Sequence, residues 1–379
     1  MIDIVIGTGY GDCGKGMVVD WYTRRRILPS GGYPPIVVRF NGGHQCGHRV
    51  KHKDKEHIFS SFGSGTLRGA TTYWSRECTI DPIAFMNEYN VLQKIGVTPH
   101  IYASPECPIT TPYDVINNRI SEKVYQHGST GSGFGSTISR NEGTDKLKLV
   151  ELRNKYMLDH KLEKFFRGEE LERKVYLDFI RAIRDMIDVI IVLPEDKFFH
   201  RQSPLESEQA RKNYIFEGNQ GILLDHEYGF FPHVTRSNTM SRGAKRIVEL
   251  IGEIPEVTYV TRAYGTRHGN GPFPGEQWKD HLSLTNTEGE ANAKHEWQGE
   301  FRTAPIDLEM LQYAMMIDDY TRGFPIQDTN LIVTCCDHID PDHLPVVENK
   351  AFRWETKEIF NRFSENTIFT DSPTWSSEI

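Results

Sequence analysis

Apolar and polar positions fall into blocks that read as strand and helix by turns. The run Ile2-Asp3-Ile4-Val5-Ile6 reads as a strand, Gly7–Gly16 as a loop and Met17–Arg26 as a helix. A second strand, Ile36-Val37-Val38-Arg39-Phe40, ends in the turn Asn41-Gly42-Gly43. Asp81-Pro82 opens a helix reaching to about Ile95, with Asp81 as its cap and Pro82 at the first helical position. Between Lys146 and Met186 apolar and charged residues alternate at helical spacing, which predicts an exposed helical excursion over 146–186. Further β runs lie at Ile187–Leu193, Val257–Thr261 and Asn330–Cys335. This alternation predicts an α/β fold, a largely parallel central sheet with flanking helices. No repeat, low-complexity tract or Pro/Ser linker interrupts it, so residues 1–379 are expected to form one domain.

Composition narrows the function classes. The 379 residues are 38% hydrophobic and 25% charged, enough for a sizeable core. Forty-four basic against fifty-two acidic residues give −8, which speaks against a general nucleic-acid binder. No stretch approaches the roughly 18 apolar residues of a membrane span. Met1 runs straight into a strand, without a basic start or small-residue cleavage site, so a cytoplasmic location is expected. The six cysteines (Cys13, Cys46, Cys78, Cys107, Cys335, Cys336) form no CxxC pair and no zinc spacing. Free thiols are expected.

Two segments carry chemistry. Gly9-Tyr10-Gly11-Asp12-Cys13-Gly14-Lys15 fits GxxxxGK between a strand and a helix. There backbone N–H groups and the helix start cradle phosphate oxygens, and a lysine neutralises them. The eighth place, which holds Ser or Thr when a hydroxyl ligates magnesium, is Gly16; Asp12 is then the nearest hard oxygen. The second segment, Arg39-Phe40-Asn41-Gly42-Gly43-His44-Gln45-Cys46-Gly47-His48, sets two histidines among glycines. One of them could donate to a transferring phosphoryl group, since glycine lets the backbone approach a ligand. A metal site lacks a third ligand at fitting spacing, and a turn with surface histidines is the plainer alternative.

Together these segments resemble the GDEGKG and R-Y/F-x-GGHNAGH patterns of the adenylosuccinate synthetase family. Further resemblances follow in order: Gly128–Gly135 (GSTGSGFG) to GTTGxGIG, Phe216–Gly221 with Leu223-Leu224-Asp225 to FEGAQGxLLD, and Pro232–Thr239 to PYVTSSNT. Gly265–Pro274 resembles TTRVGxGPFPTE, and Thr334-Cys335-Cys336-Asp337 the base-reading TKxD. The resemblance runs over about residues 3–375.

It implies a C–N ligase that joins L-aspartate to C6 of a purine monophosphate, driven by a nucleoside triphosphate with Mg2+ through a 6-phosphoryl intermediate. It also implies a homodimer. By position, Asp12 matches the general base for N1 and a metal ligand, His48 the acid facing the phosphoryl group, and Gly47 a metal-ligating carbonyl. Lys15 and Gln220 match residues acting on the transferring group. Cys13, Gly14, Lys15, Gly16, Met17 and Asp337 match the triphosphate site. Asp12, Gln45, Ser129, Thr130, Gln220 and Thr235 match the monophosphate site; Arg140 matches an arginine that reaches a neighbouring subunit's phosphate. Gly299, Arg302 and Thr303 match the aspartate loop, TTGRxRR, with Arg267 a second candidate clamp.

The departures bear on substrate. The loop's first arginine is Glu300, Gln45 stands for Asn, and Cys335 for the lysine of TKxD. These changes resemble the phage 2-aminoadenylosuccinate synthetase branch, which implies dGMP and ATP in place of IMP and GTP and, for a phage-encoded chain, the host cytoplasm. The ordinary IMP/GTP enzyme and an inactive nucleotide-binding relative are the two other readings. Ser372-Pro373-Thr374-Trp375 resembles a terminal segment that closes over the triphosphate base.

Overall fold

The computed structural model describes residues 1–27, 31–165, 172–199, 213–290, 292, 294–340 and 342–371. Ser372–Trp375 lies outside these residues.

Nine strands form one sheet, and every neighbouring pair is parallel. From one edge they are Asn366–Phe369, Thr329–Thr334, Glu256–Arg262, Ile2–Gly7, Tyr214–Glu217, Ile36–Arg39, Thr71–Trp74, Ile101–Ala103 and Ile191–Val192. The α/β fold with a parallel sheet and flanking helices is therefore as the sequence pattern predicts. Ile2–Gly7, Ile36–Arg39 and Tyr214–Glu217 are buried at every residue, as parallel strands covered on both faces must be. Ile4, Val38 and Phe216 pack into one core layer, and Val5, Val37 and Ile215 into another.

This order positions the site. Ligands of parallel sheets gather at the carboxyl ends of the strands. Here five adjacent strands end at Thr334, Arg262, Gly7, Glu217 and Arg39. The segments that follow them carry Cys335, Asp12, Gln220 and His48, so residues over 300 positions apart meet at one edge of the sheet.

The helices follow local signals. Helix α1 runs Lys15–Ile27 and α2 Pro82–Lys94. Asp81 caps α2 as predicted, its Oδ1 accepting from Ile83 N at 2.8 Å and Ala84 N at 3.0 Å. Helix α3, Pro112–Tyr125, begins with a capping box between Thr111 and Asp114; α4 follows at Phe134–Glu142.

Two expectations need correction. The segment 146–186 is not an exposed excursion. It holds α5 (Lys155–Phe165) and α6 (Arg173–Val189), whose Leu158, Leu162, Phe179, Ile183 and Met186 are buried with Phe85 and Leu92 of α2. The charges lie on the outer face, and the apolar stripe beneath them closes a second core. Nor is Ile187–Leu193 a strand: α6 continues through Val189, and only Ile191–Val192 pairs with the sheet. All six cysteines are free thiols. Among the described residues no helix is long and apolar enough to cross a membrane.

Candidate active site

The loop after the Ile2–Gly7 strand turns at Asp12, which takes a left-handed backbone conformation (φ 53°). That turn is held from behind. Arg262 Nε donates to the Asp12 carbonyl at 2.5 Å, and its guanidinium is fixed by Glu290 (2.5 Å) and the Tyr264 hydroxyl (2.7 Å). Thr334 Oγ1 donates to the next carbonyl, Cys13 O, at 2.9 Å. With its backbone anchored, the Asp12 carboxylate stands in a chamber of about 680 Å³ with Cys13, Gly14, Lys15, Gly16, Met17, Gln45, Gly47, His48 and Gln220. The two side chains on which the reading depends, Asp12 and His48, thus share one cavity.

His48 opens a strand from His48 to His52 and is 6% exposed. Its Nδ1 lies 2.6 Å from Glu217 Oε1. Glu217 is fully buried at the end of its strand and also accepts from Ser64 N at 3.0 Å and from the Ser64 hydroxyl. Burial alone would push this carboxyl up, but His48, Arg39 and the Ser64 hydroxyl hold it down to about 2. A carboxylate only accepts, so His48 Nδ1 carries the proton and Nε2 is left for the chamber. Burial pushes the His48 pKa down, against the pull of Glu217; Lys15 and Arg39 push the same way as burial. Glu217 lies within the Phe216–Gly221 motif, but nothing local to residues 216–221 reveals that His48 arrives beside it.

The missing hydroxyl at Gly16 has a steric cause. A Cβ there would stand 2.7 Å from His48 Cβ and 3.1 Å from Ser64 Oγ, so the histidine occupies the room that Ser or Thr would need.

Gln45 and Gln220 mark the way into a second chamber of about 780 Å³, since both line the two cavities, as do Thr130, Ser132, Leu224 and Gln298. Gln45 Oε1 and Nε2 and Gln220 Oε1 are buried with no hydrogen-bond partner. These three buried amide atoms at one junction can donate to and accept from a polar ligand. Ser129, Thr130, Arg140 and Thr235 line the second chamber. Cys13, Gly14, Lys15, Gly16 and Met17 thus line the first cavity, Ser129, Arg140 and Thr235 the second, and Gln45, Thr130 and Gln220 both.

Other expected residues are placed elsewhere. Arg140 is not a free arm toward a neighbouring subunit: it bonds to Asp114 (2.9 and 2.8 Å) and to the carbonyls of Asp145 (2.8 Å) and Ile109 (2.6 Å) of its own chain. Arg302 donates to Glu276 at 2.7 Å and to Gly271 O at 2.9 Å. Neither it nor Gly299 nor Thr303 lines either chamber; Phe301–Ala304 pairs with Gly265–His268 as an antiparallel ribbon. Arg267, 2% exposed, lines the second chamber with its Nε unpartnered. Asp337 lines neither cavity, whereas Cys335 lines the first. Glu300 pairs with Lys294 at 2.6 Å, both well exposed. Sequence reasoning also missed His268, whose Nε2 lies 3.5 Å from Asp12 Oδ2; the only signal was a histidine where the resembled motif has valine.

A magnesium ion accompanying a triphosphate takes one or two protein oxygens and phosphates for the rest. The half-buried Asp12 and the exposed Gly47 line the same chamber, and a carboxylate and a backbone carbonyl suit that demand. Among the described residues no group of three or more His, Cys, Asp or Glu forms a protein cage.

The family profile of adenylosuccinate synthetase matches residues 4–341. The chain belongs to that family. Adenylosuccinate synthetases of Borrelia duttonii and Gloeothece citriformis are 29% and 32% identical over 288 and 296 residues, each covering 72% of this chain. The matches take in 64% and 62% of those proteins, so the chain spans less than two thirds of their length. The Chlorobium chlorochromatii synthetase is 30% identical over 342 residues, 84% of this chain and 74% of that protein. Two solved structures share the fold. The fully ligated adenylosuccinate synthetase of Plasmodium falciparum has a TM-score of 0.64 at 23% identity, covering 87% of this chain and 76% of its own. Succinoaminodeoxyadenylate synthetase (PurZ) of cyanophage S-2L, bound to dGMP and dATP as an energy donor, has 0.59 at 15% identity, covering 89% and 85%.

Proposed function

We propose that this chain is a ligase that condenses L-aspartate with C6 of a purine nucleoside monophosphate at the expense of a nucleoside triphosphate. The observation carrying this reading is the juxtaposition of Asp12, His48 and the unpartnered Gln45 and Gln220 amides where two chambers join. A lactam C6=O is a poor leaving group. Asp12 takes the N1 proton, and O6 becomes nucleophilic. O6 then bonds to the γ-phosphorus as its bond to the β-phosphate oxygen breaks. Lys15 and the cradle N–H groups stabilise the charge on the transferring group, which is most of the work in such transfers. His48, oriented by Glu217, donates to its oxygens; the approaching anion favours the imidazolium that burial disfavours. Gln220 and Gln45 orient O6 and the base edge. The aspartate amine next attacks C6, and the C6–O6 bond breaks with release of phosphate. When bound, Mg2+ held by Asp12 and the Gly47 carbonyl would neutralise phosphate charge.

We propose dGMP as acceptor and ATP as donor, with one catalytic domain per chain acting as a homodimer in the cytoplasm. Glu300, at the place of a family arginine, is engaged with Lys294 in solvent. Cys335, at the place of the base-packing lysine, is buried. Both changes remove reasons to favour a ribonucleotide and GTP, and the S-2L enzyme provides a precedent with dGMP. The named relatives favour the second reading, IMP and GTP. Phosphate release is measured with dGMP, ATP and aspartate against IMP, GTP and aspartate, with the product identified by mass. Turnover with the second set alone refutes the dGMP proposal; turnover with neither refutes the ligase reading.

A further inference from the structure

The aspartate loop of this chain has lost the means to bind a dicarboxylate in the expected way: Glu300 replaces one arginine, and Arg302 is engaged with Glu276 and Gly271 O outside both chambers. A substrate with two carboxylates still needs a cation near the junction, where its amine must meet C6. The first chamber is lined by several basic side chains, and most of them have partners. Arg49 pairs with Glu56 at 2.5 Å, Arg262 with Glu290 at 2.5 Å, and Lys294 with Glu300 at 2.6 Å. Lys15 belongs to the phosphate cradle. Arg119, from the middle of α3, also lines this chamber, and among the described residues it has no carboxylate partner.

Arg119 is exposed on α3, with its guanidinium engaged on one side. Its Nε donates to Gly131 O at 3.2 Å, and its guanidinium lies 5.4 Å from the centroid of the Trp297 ring. Lys123, one turn along α3, lies over the same ring at 5.6 Å. Trp297 can reach this position because residue 131 is glycine: a Cβ there would come within 2.7 Å of its Cγ. The result is a guanidinium fixed at one edge by a carbonyl and at one face by an indole. Its two terminal nitrogens make no hydrogen bond among the described residues. Thr130 and Gln298, next in the chain to its contacts Gly131 and Trp297, line both cavities, which sets Arg119 toward the junction where the acceptor carbon is expected.

We propose that Arg119 is the carboxylate-recognising residue for L-aspartate in this chain, supplied by α3 in place of the loop arginine. A planar fork with two free N–H edges suits a bidentate carboxylate, and its stacked, pre-ordered geometry lowers the entropy lost on binding. A phosphate would satisfy the same fork, but the cradle with Lys15 already serves the triphosphate, and Ser129, Thr130 and Thr235 stand in the other chamber for the monophosphate.

This inference rests on the ligase reading, and the two fail separately when binding is measured without turnover. L-Aspartate is titrated calorimetrically into the full chain saturated with dGMP, Mg2+ and a non-hydrolysable ATP analogue, for wild type, Arg119→Gln and Arg119→Lys. Arg119→Gln should weaken aspartate binding about 10- to 100-fold while leaving dGMP affinity within twofold. Arg119→Lys, which keeps the charge but not the fork, should fall between. Unchanged aspartate affinity in Arg119→Gln overturns the assignment, as does an equal loss for dGMP or the ATP analogue, which would make Arg119 a phosphate ligand. Aspartate binding that fails in the wild type as well overturns both this inference and the ligase reading.

Discussion

Replacing Glu217 by glutamine changes almost no volume and removes one buried charge. In the folded protein that carboxyl is held down to about 2 from an ordinary value of 4.5, with burial opposing and His48, Arg39 and Ser64 more than compensating. The fold therefore favours the charged form of this carboxyl. Because the folded value is depressed, this stability is present above about pH 4.5 and is lost as pH falls toward 2. Glutamine cannot reproduce the arrangement. Glu217 accepts from Ser64 N, the Ser64 hydroxyl and His48 Nδ1, and an amide must turn its NH2 toward one of these donors. Facing His48, it moves the proton from Nδ1 to Nε2 and removes the buried negative charge that would stabilise the imidazolium. Setting an amide NH2 against a buried donor costs about 1–3 kcal/mol, so Glu217→Gln should lose about that much at pH 7 in urea unfolding. Its kcat for phosphate release should fall by about 10²–10⁴, as when an orienting acid or a positioned proton donor is disabled. The KM values for the nucleotides should change little. The assay is aspartate-dependent phosphate release, run at a temperature where circular dichroism shows the variant fully folded. A kcat within twofold of wild type in a folded variant would refute the view that Glu217 orients His48.

Asp12→Asn and His48→Ala should each cut turnover by about 10²–10⁴ with unchanged circular dichroism; asparagine tolerates the left-handed backbone at position 12, so near-wild-type turnover would remove Asp12 from its role. Gly16→Ser, which restores the usual hydroxyl, should lower kcat by about 10²-fold and not tighten magnesium binding, because its Cβ would displace His48; equal or improved activity would show that the histidine can yield. Asp3, buried against Arg26, is pushed up to about 6 by burial, with Arg26 only partly offsetting it. The fold then binds more protons than the unfolded chain between about pH 4 and 6, so this contribution declines by about 3 kcal/mol as pH rises through that window. Wild type should lose stability against Asp3→Asn over that range in urea melts at several pH values, and a pH-independent difference would contradict it.

The strand–glycine-loop–helix opening, the parallel sheet and the cap at Asp81 were legible in the chain, because each is set by residues within a few positions of one another. Asp12, Lys15 and His48 were singled out by their motifs and by resemblance, and the structure brings all three to one chamber. The buried stripe of 146–186 was misread because charges on the outer face mask it until another helix is there to pack against. The Glu217–His48 contact, the close approach at Gly16, Arg140 turned toward Asp114, and the free edge of Arg119 could not be read in advance. The first two join segments whose distance is set by the strand order of the sheet, and the last two depend on how α3 packs against α4 and the loops around it. Sequence alone determined which groups are available; the parallel sheet, by bringing five strand ends to one edge, decided which of them meet.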